Sequence, residues 1–344
     1  MAIYLRFFGL DRNPFGHTPD PEFLYLTRGH REALAQLTYA IEERKGFVLL
    51  TAEVGTGKTT LLHALQRELS GTNTAVAYIT NSMLPFSGIL EYMLEEFEIA
   101  KPAESHAQRL VTLQNFLLER YRAGQGTVLI IDEAQNLYPQ TLEQIRLLSN
   151  FETTKEKILQ IILVGQPELQ ARLELPELRQ LNQRISMRCS IPRLSKAATR
   201  NYIRTRLRMA GAADTGMFTE AAITQIADYA SGIPRIVNTL CDHSLVIAYA
   251  DQTRRVDRAI VDEAIAYVEA GARPRARRRA RTHARVRRPG GAVLRWALIG
   301  IGFGVLAGGG AATAVGWPAV SDALRSTAAY VSDLAHSARS LVGL

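Results

Sequence analysis

The chain has 344 residues, of which 47% are apolar, and it carries a formal net charge of +8. That charge is concentrated, because ten arginines lie between Arg273 and Arg295 in a stretch without any acidic residue. Residues 1–272 contain 29 Lys and Arg against 31 Asp and Glu, so this larger part is slightly acidic. The composition excludes a uniformly basic nucleic-acid-coating protein and a wholly disordered chain, and it leaves the arginine run to be explained separately.

The first strong pattern in chain order is FVLLTAEVGTGKTTLL, which begins at Phe47. Its apolar start predicts a buried parallel strand, followed by a glycine-containing turn and a helix from about Lys58. This order builds a phosphate cradle, in which backbone amides of the loop and of the helix start point at the phosphates. We predict that Lys58 lies against the β and γ phosphates of ATP and that the Thr59 hydroxyl holds Mg²⁺. The residues predicted to line this cradle are Glu53, Val54, Gly55, Thr56, Gly57, Lys58, Thr59 and Thr60.

Ala52 departs from the full phosphate-loop pattern, which has glycine at that position. If the position requires a positive φ, alanine costs about 1 kcal/mol or more in strain. If the position is only closely packed, the methyl group fits. In either case we expect nucleotide binding to survive the departure, with unchanged affinity or with weakened affinity as the two alternatives.

Two further apolar runs end in polar residues. The run from Thr127 ends in Asp132 and Glu133, and the run from Ile158 ends in Gln166. Phosphoryl-transfer enzymes with a phosphate loop use a strand-end acid to organise Mg²⁺ and a second residue to orient the attacking water. We assign Asp132 to Mg²⁺ together with Thr59, and Glu133 to the water. Gln166 is expected to contact the γ phosphate or that water, with a backbone-bonded strand end as the alternative.

The region 195–270 contains no strand-like run, and the apolar spacing in 221–230 and 236–249 predicts helices. The two cysteines, Cys189 and Cys241, form neither a disulfide framework nor a zinc site. We expect both to be buried thiols in a reducing compartment.

Residues 296–320 contain no charged side chain and have tryptophans at Trp296 and Trp317, near both ends. A helix of about 20 apolar residues spans a bilayer, so this stretch predicts one transmembrane helix. A flexible linker or a buried helix is the alternative.

The arginine run 273–295 lies immediately before that stretch. Basic residues beside a span stay on the cytoplasmic side and attract anionic lipids, which orients the chain with its N-terminal part inside. A nucleic-acid-binding arm and a solvated linker remain alternatives.

With these motifs placed, the chain resembles the AAA+ ATPases, and more narrowly the general secretion pathway protein A (ExeA-type) group of membrane-associated ATPases. The resemblance covers roughly residues 4–270. It rests on FFGLDRNPFGHTPDPEFLYLTRGHREALAQL, EVGTGKTTL, LIIDEAQNL, RLLSNFET, IILVGQPEL, LRQLNQRI and SGIPRIVNTLCD. It implies a parallel α/β core followed by a small helical lid, working as an oligomer.

The resemblance also suggests roles for single residues. Gln166 is similar to the sensor-1 position, Arg235 to the nucleotide-contacting sensor-2 arginine of the lid, and Arg184 to the arginine finger that reaches a neighbouring subunit. Arg179 and Arg188 compete for the finger role, and a solvated surface position is the alternative for all of these arginines. The aromatic N-terminal segment is expected to pack on the core, and the resemblance places Arg28 and His30 near the adenine.

The expected fold is therefore α/β, with a phosphate-loop AAA+ parallel-sheet core, a C-terminal helical lid and a single transmembrane helix. Its expected parts are the N-terminal segment 1–29, the ATPase core 30–194, the lid 195–270, the arginine-rich linker 271–295, the transmembrane helix 296–320 and a short periplasmic tail 321–344.

The expected function is that of an inner-membrane-tethered, oligomeric ATPase whose ATPase part faces the cytoplasm. By resemblance it works with an inner-membrane partner subunit of an envelope secretion, pilus or exopolysaccharide export system. The alternatives are a DNA-acting AAA+ ATPase similar to transposition helpers and a nucleotide-binding scaffold that switches without turnover.

Overall fold

The computed structural model describes residues 3–16, 25–80, 83–99, 105–154 and 156–270. The predicted arginine-rich linker, transmembrane helix and tail fall in 271–344 and so lie outside the described residues. The sheet, the phosphate loop and their contacts belong to Met1–Ala266, the first of two compact units, and the second is Tyr267–Leu344. Among the described residues, no helix has both the length and the apolar character needed to cross a bilayer.

Five parallel strands form one sheet in the order β2-β3-β4-β1-β5. Because all of them are parallel, each strand is joined to the next one in the chain by a crossover, and all carboxyl ends meet at one edge of the sheet. The strands are β1 (Phe47–Ala52), β2 (Thr74–Ile79), β3 (Gly126–Ile131), β4 (Gln160–Gly165) and β5 (Ile185–Ile191).

Helices cover both faces of this sheet. On one face, α2 and α3 pack through Leu37 and Leu61 against Val48 and Leu50 of β1. On the other, α4 to α8 enclose the larger apolar core with the opposite side chains of the same strands. The helices up to β5 are α1 (Leu5–Phe8), α2 (Arg28–Glu42), α3 (Lys58–Ser70), α4 (Phe86–Glu96), α5 (His106–Arg122), α6 (Pro139–Leu148), α7 (Pro167–Leu173) and α8 (Arg179–Arg184).

The helices that follow β5 form a separate bundle, here called the helical lid. They are α9 (Lys196–Met209), α10 (Glu220–Ala230), α11 (Pro234–Ala250) and α12 (Arg258–Glu269). Ser195 and Thr219 cap α9 and α10 through their hydroxyls, and Pro234 begins α11 where no amide donor is needed. These local signals divide the lid sequence into its helices.

The N-terminal segment contacts the helical lid through its described residues 3–16, and packing of the whole segment 1–29 on the core stays a prediction. Its described hydrogen bonds run from Tyr4 to Asp242 of α11 and from the Asp11 amide to the Ala210 carbonyl at the end of α9. Phe15 is fully buried and its ring contacts Phe218. The lid provides the apolar surface that these aromatic residues bury.

Candidate functional site

The phosphate loop connects the carboxyl end of β1 to the amino end of α3. Gly55 and Gly57 have φ values of 80° and 107°, which L-residues with a side chain rarely adopt. Ala52 is the last residue of β1, is 4% exposed and is not among the residues with positive φ. Alanine therefore introduces no backbone strain at this position, and its methyl group fits within the buried surroundings of the strand end.

Two other parts of the chain, the start of α11 and the start of α2, contact the loop. The Arg235 amide, at the start of α11 in the lid, donates to the Gly55 carbonyl at 3.2 Å. A Cβ at Gly55 would lie 2.7 Å from the Arg235 Cβ, and one at Gly57 would lie 2.7 Å from the His30 ring. The glycines thus permit an approach of backbone to the lid and to α2 that any larger residue would block.

Lys58 is 7% exposed, and its ammonium group lies 3.5 Å from the Ala52 carbonyl and 3.4 Å from Glu133 Oε1. Thr59, the next residue of α3, is exposed. Thr60 is half-buried. The first turn of α3 therefore presents the Lys58 ammonium group and the exposed Thr59 side chain beside the amides of the helix start, which have no partner within the helix. Such a site is suited to polyphosphate.

Asp132 and Glu133 follow β3 at the same edge of the sheet. Asp132 is 7% exposed, and its Oδ1 accepts the Glu133 amide at 2.8 Å while its Oδ2 accepts the Tyr78 hydroxyl of β2 at 3.1 Å. Burial, followed by the charge of Asp132 and the hydrogen bond to it, raises the pKa of Tyr78, so the phenol remains a donor. The Asp132 carboxylate is thereby fixed in orientation, as a ligand of a hard cation such as Mg²⁺ requires.

Glu133 has a φ of 50° and holds its side chain within a network of amides. Its Oε2 accepts hydrogen bonds from the side chains of Gln135 and, at 3.1 Å, Gln166. Burial acts to raise the pKa of Glu133, but these bonds and the nearby Lys58 outweigh it and hold the pKa below its ordinary value. The carboxylate is consequently ionised and is engaged at both oxygens.

Gln135 links this carboxylate to the next strand. Its side-chain oxygen accepts the backbone amide of Gln166 at 3.2 Å, while its amide donates to Glu133. Arg172 of α7 bonds the carbonyls of Gln135 and Leu137. The ends of β3 and β4 are therefore joined by one hydrogen-bonded group.

An open cleft of about 700 Å³ lies beside this network. Glu53 of the loop lines the cleft and is paired with Arg193 at 2.5 and 3.0 Å. The residues lining the cleft are Glu53, Val54, Gln166, Pro167, Glu168, Ile233, Arg235 and Ile236. The structure thus brings together the predicted loop residues with Asp132, Glu133, Gln166 and Arg235.

Arg184 lies apart from this group. It donates to the Arg146 carbonyl at 3.4 Å, to Asn150 at 2.8 Å and to Ser149, all at the end of α6. Because Phe47 pairs with Ile185 and Ala52 with Ile191, Arg184 lies at the opposite edge of the sheet from the loop, about 20 Å away along the strand direction. Within its own chain, Arg184 therefore serves to anchor α8 to α6.

The structure also shows the surroundings of the other arginines considered for the site, of His30 and of the two cysteines. Arg179 and Arg188 are exposed, and Arg188 bonds Asn182 of α8. Arg28 is exposed and paired with Glu32, whereas His30 is buried against the phosphate loop. Both cysteines are buried free thiols, and burial raises the pKa of Cys189 to about 11.

Sequence reasoning did not identify Tyr78, Gln135 or Arg193 as parts of the site. Gln135 lies within the quoted LIIDEAQNL motif, so its position two residues after Glu133 was an available signal. Tyr78 and Arg193 had no such signal, because they reach the site from β2 and from the segment after β5.

A parallel sheet with this strand order, a phosphate loop after β1, acids after β3 and a lid against the loop define a phosphate-loop nucleotide-binding protein of the AAA+ class. A family model described as an AAA domain matches residues 41–173. General secretion pathway protein A of Aeromonas hydrophila is 42% identical over 255 residues, which cover 74% of this chain and 46% of that relative. The chain belongs to the AAA+ ATPase family of general secretion pathway protein A, the ExeA-type group.

Solved structures share the fold at low sequence identity. Cdc6p from Pyrobaculum aerophilum superposes with a TM-score of 0.56 at 19% identity, covering 73% of this chain and 71% of its own. The ORC2 protein of Aeropyrum pernix gives 0.57 at 18% identity, with 76% and 72% covered. These likenesses establish the AAA+ fold and nothing further.

Proposed function

We propose that this chain binds ATP with Mg²⁺ and hydrolyses it, working as a subunit of a homo-oligomer. The observation that carries the proposal is the convergence of Lys58, Asp132 and Glu133 at one sheet edge, next to a cleft that also receives Arg235. Membership of the AAA+ family supports nucleotide binding, and oligomers are typical of that family.

Bound Mg²⁺ supplies charge neutralisation to the phosphates in such a site. Asp132 and Thr59 would hold the cation, and Asp132 is suited to this because Tyr78 and the Glu133 amide fix its carboxylate. Lys58 would contact the β and γ phosphates, and the loop amides would surround them. Arg235 would add a positive charge from the lid.

Glu133 would orient and deprotonate the attacking water. Both of its oxygens are engaged in this structure, by two amides on one side and by Lys58 on the other. A phosphate group offers Lys58 a more highly charged partner, so nucleotide binding would release Oε1 for the water. Gln166 would then be free to exchange its bond to Glu133 for the γ phosphate.

The decisive variant is Glu133→Gln, which keeps the side-chain shape and removes the base. We expect ATP affinity within a few-fold of the wild type and turnover lowered by about 10²–10⁴-fold, the usual contribution of a general base. Affinity is measured with a fluorescent ATP analogue and turnover by phosphate release. Glu174→Gln, at an exposed position after α7, is the matched control. Undiminished turnover in E133Q would remove Glu133 from this role.

For the cellular role, we propose that hydrolysis drives assembly or operation of an envelope secretion, pilus or exopolysaccharide export system. The 42% identity to general secretion pathway protein A supports this assignment. The implied partner is an inner-membrane subunit of such a system. Detergent extraction and co-purification with the full chain tests it, using Lys58→Ala as the nucleotide-deficient control. Recovery of chromosomal DNA-binding proteins instead of envelope components would contradict the assignment.

We also propose that residues 296–320 tether the chain to the inner membrane, with the ATPase in the cytoplasm and residues 321–344 in the periplasm. The uncharged stretch supports the span, and the arginine run supports the orientation and contact with anionic lipids. Removing residues 296–344 should release the protein from the membrane fraction, whereas removing residues 321–344 should not. A full-length chain in the soluble fraction would refute the tether.

A DNA-acting ATPase is the second candidate, and the observation that favours it is the same run of ten arginines. In that case DNA affinity would fall steeply with salt and would be lost when residues 273–295 are made neutral. The third alternative is a scaffold that switches without turnover, which a phosphate loop impaired by Ala52 would favour and the intact Asp132–Glu133 pair opposes. The ordinary φ of Ala52 withdraws that support.

A further inference from the structure

His30 is held at both ring nitrogens in the first turn of α2. It is 4% exposed, and its Nδ1 lies 2.7 Å from the Thr27 hydroxyl, which also caps the helix by accepting the His30 amide. On the other side of the ring, Nε2 lies 3.0 Å from the carbonyl oxygen of Thr56, within the phosphate loop. The ring therefore bridges a helix cap and the loop backbone.

The partners of the ring determine where its proton resides. The Thr56 carbonyl can only accept, so Nε2 carries the hydrogen in that bond. In the neutral ring Nδ1 then accepts from the Thr27 hydroxyl, and every group in the chain of bonds is satisfied. Burial lowers the pKa of His30 and favours this neutral form.

The bond to Thr56 has a geometric consequence for the next amide. In a trans peptide, the carbonyl and the following N–H point in opposite directions. A Thr56 carbonyl directed at His30 therefore directs the Gly57 N–H away from His30. Gly57 has a φ of 107° and immediately precedes Lys58, so its amide belongs to the group that faces bound phosphate.

The opposite orientation of this peptide is accessible without such a restraint, because glycine tolerates either sign of φ. Within the loop, Thr56 is held by its own hydroxyl and amide, which both donate to the Glu53 carbonyl at 2.7 and 3.3 Å. Those bonds fix the amino side of Thr56 and leave its carbonyl to His30.

We propose that His30 is a positioning residue of the phosphate loop, which donates Nε2–H to the Thr56 carbonyl and thereby keeps the Gly57 amide turned toward the nucleotide phosphates. The inference rests on the proposed nucleotide binding and extends it to a residue outside the loop. It assigns to α2 a role in phosphate recognition without any contact between α2 and the phosphate.

Substitutions of His30 can separate its bond to the Thr27 hydroxyl from its bond to the Thr56 carbonyl. In His30→Gln the side-chain nitrogen lies as many bonds from Cα as the Nε2 of histidine does, so it can still donate to the Thr56 carbonyl. In His30→Asn the side chain ends at the level of Nδ1, so it can reach Thr27 but not the loop. His30→Phe fills the ring volume and donates nothing.

The experiment measures Kd for fluorescent ADP and ATP analogues with Mg²⁺ on the full-length chain, together with the unfolding midpoint of each variant. H30N and H30F should each weaken both nucleotides about tenfold or more, since they leave a buried carbonyl unpaired in a loop that must bind phosphate. H30Q should stay within about threefold of the wild type. His63→Asn, on the exposed side of α3, is the control and should match the wild type.

Equal Kd values for H30Q and H30N overturn the proposal, whether both match the wild type or both are weakened. A purely structural role would lower the unfolding midpoints without separating the two Kd values. Because H30F is a second variant that cannot donate to the Thr56 carbonyl, unfolding of either H30N or H30F alone leaves the comparison intact. A wild-type chain that binds neither nucleotide refutes the proposed function itself, which is a distinct result.

Discussion

Replacing Gly55 by alanine tests whether the lid rests on the phosphate loop as the structure shows. Gly55 has a φ of 80°, and a Cβ there would lie 2.7 Å from the Arg235 Cβ and 3.2 Å from Ile233 Cγ2. Left-handed backbone costs an L-residue about 1–2 kcal/mol. Overpacking against two lid side chains adds about 1–3 kcal/mol. The sum of about 2–5 kcal/mol is large for one methyl group.

Gly124→Ala separates the two contributions. Gly124 has a φ of 71° and no atom within 4 Å of an added Cβ, so alanine there incurs the backbone strain alone. Urea unfolding of the nucleotide-free chain should therefore show G55A to be less stable than G124A by about 1–3 kcal/mol.

A lid that swings away to relieve the contact would give a different pair of readouts. The Arg235 amide would lose the Gly55 carbonyl, and the segment 192–195 between β5 and α9 would become more accessible to limited proteolysis. Nucleotide affinity would fall at the same time, because Arg235 would leave the cleft. Equal stability and equal protease sensitivity of G55A and G124A would refute the reasoning that places the lid on the loop.

Two further predictions concern metal binding and contacts between subunits. Tyr78→Phe removes the donor that orients Asp132, so the Mg²⁺ concentration for half-maximal nucleotide binding should rise about tenfold or more. Tyr138→Phe, at an exposed position, is the control. An unchanged Mg²⁺ midpoint in Y78F would contradict the assignment of Asp132 to Mg²⁺. Arg184→Ala and Lys58→Ala should each be inactive alone, and mixing them should restore part of the turnover if Arg184 reaches a neighbouring nucleotide. Absence of rescue at every mixing ratio would leave Arg184 with only its bonds to α6.

The sequence predicts the three central strands because they are buried on both faces. Residues of β1, β3 and β4 form continuous apolar runs, and their bounds differ from the predicted ones by only a few residues. Neither β2 nor β5 was predicted from the sequence, although β2 also forms a nearly continuous apolar run, TAVAYI. β5 is an edge strand whose exposed side chains, including Arg188, alternate with buried ones, and β2 is half-exposed along most of its length. The edge position of β5 explains its alternating pattern. The apolar run of β2 was an available signal.

The sequence also identifies the local part of the site, since strand, loop and helix are contiguous in the chain. Contacts between residues far apart in the chain could not be predicted from the sequence. The sequence placed His30 near the adenine by resemblance, yet the ring contacts Thr56 across 26 positions of the chain. The N-terminal segment illustrates the same limit, because aromatic residues indicate that a segment is buried without indicating which surface buries it.

The glycine pattern of the loop acquires a physical meaning from these contacts. Gly55 is required because Arg235 of the lid lies against it, and Gly57 because its φ is left-handed and His30 lies against it. Position 52 satisfies neither condition, since it ends β1 with ordinary backbone geometry. A glycine in the motif is therefore indispensable only where a neighbouring element or a left-handed φ excludes a side chain. By that criterion Ala52→Gly should leave nucleotide affinity unchanged and should slightly destabilise β1, because glycine loses more backbone entropy on folding than alanine does. Tighter nucleotide binding by A52G would show instead that the methyl group impedes the phosphates.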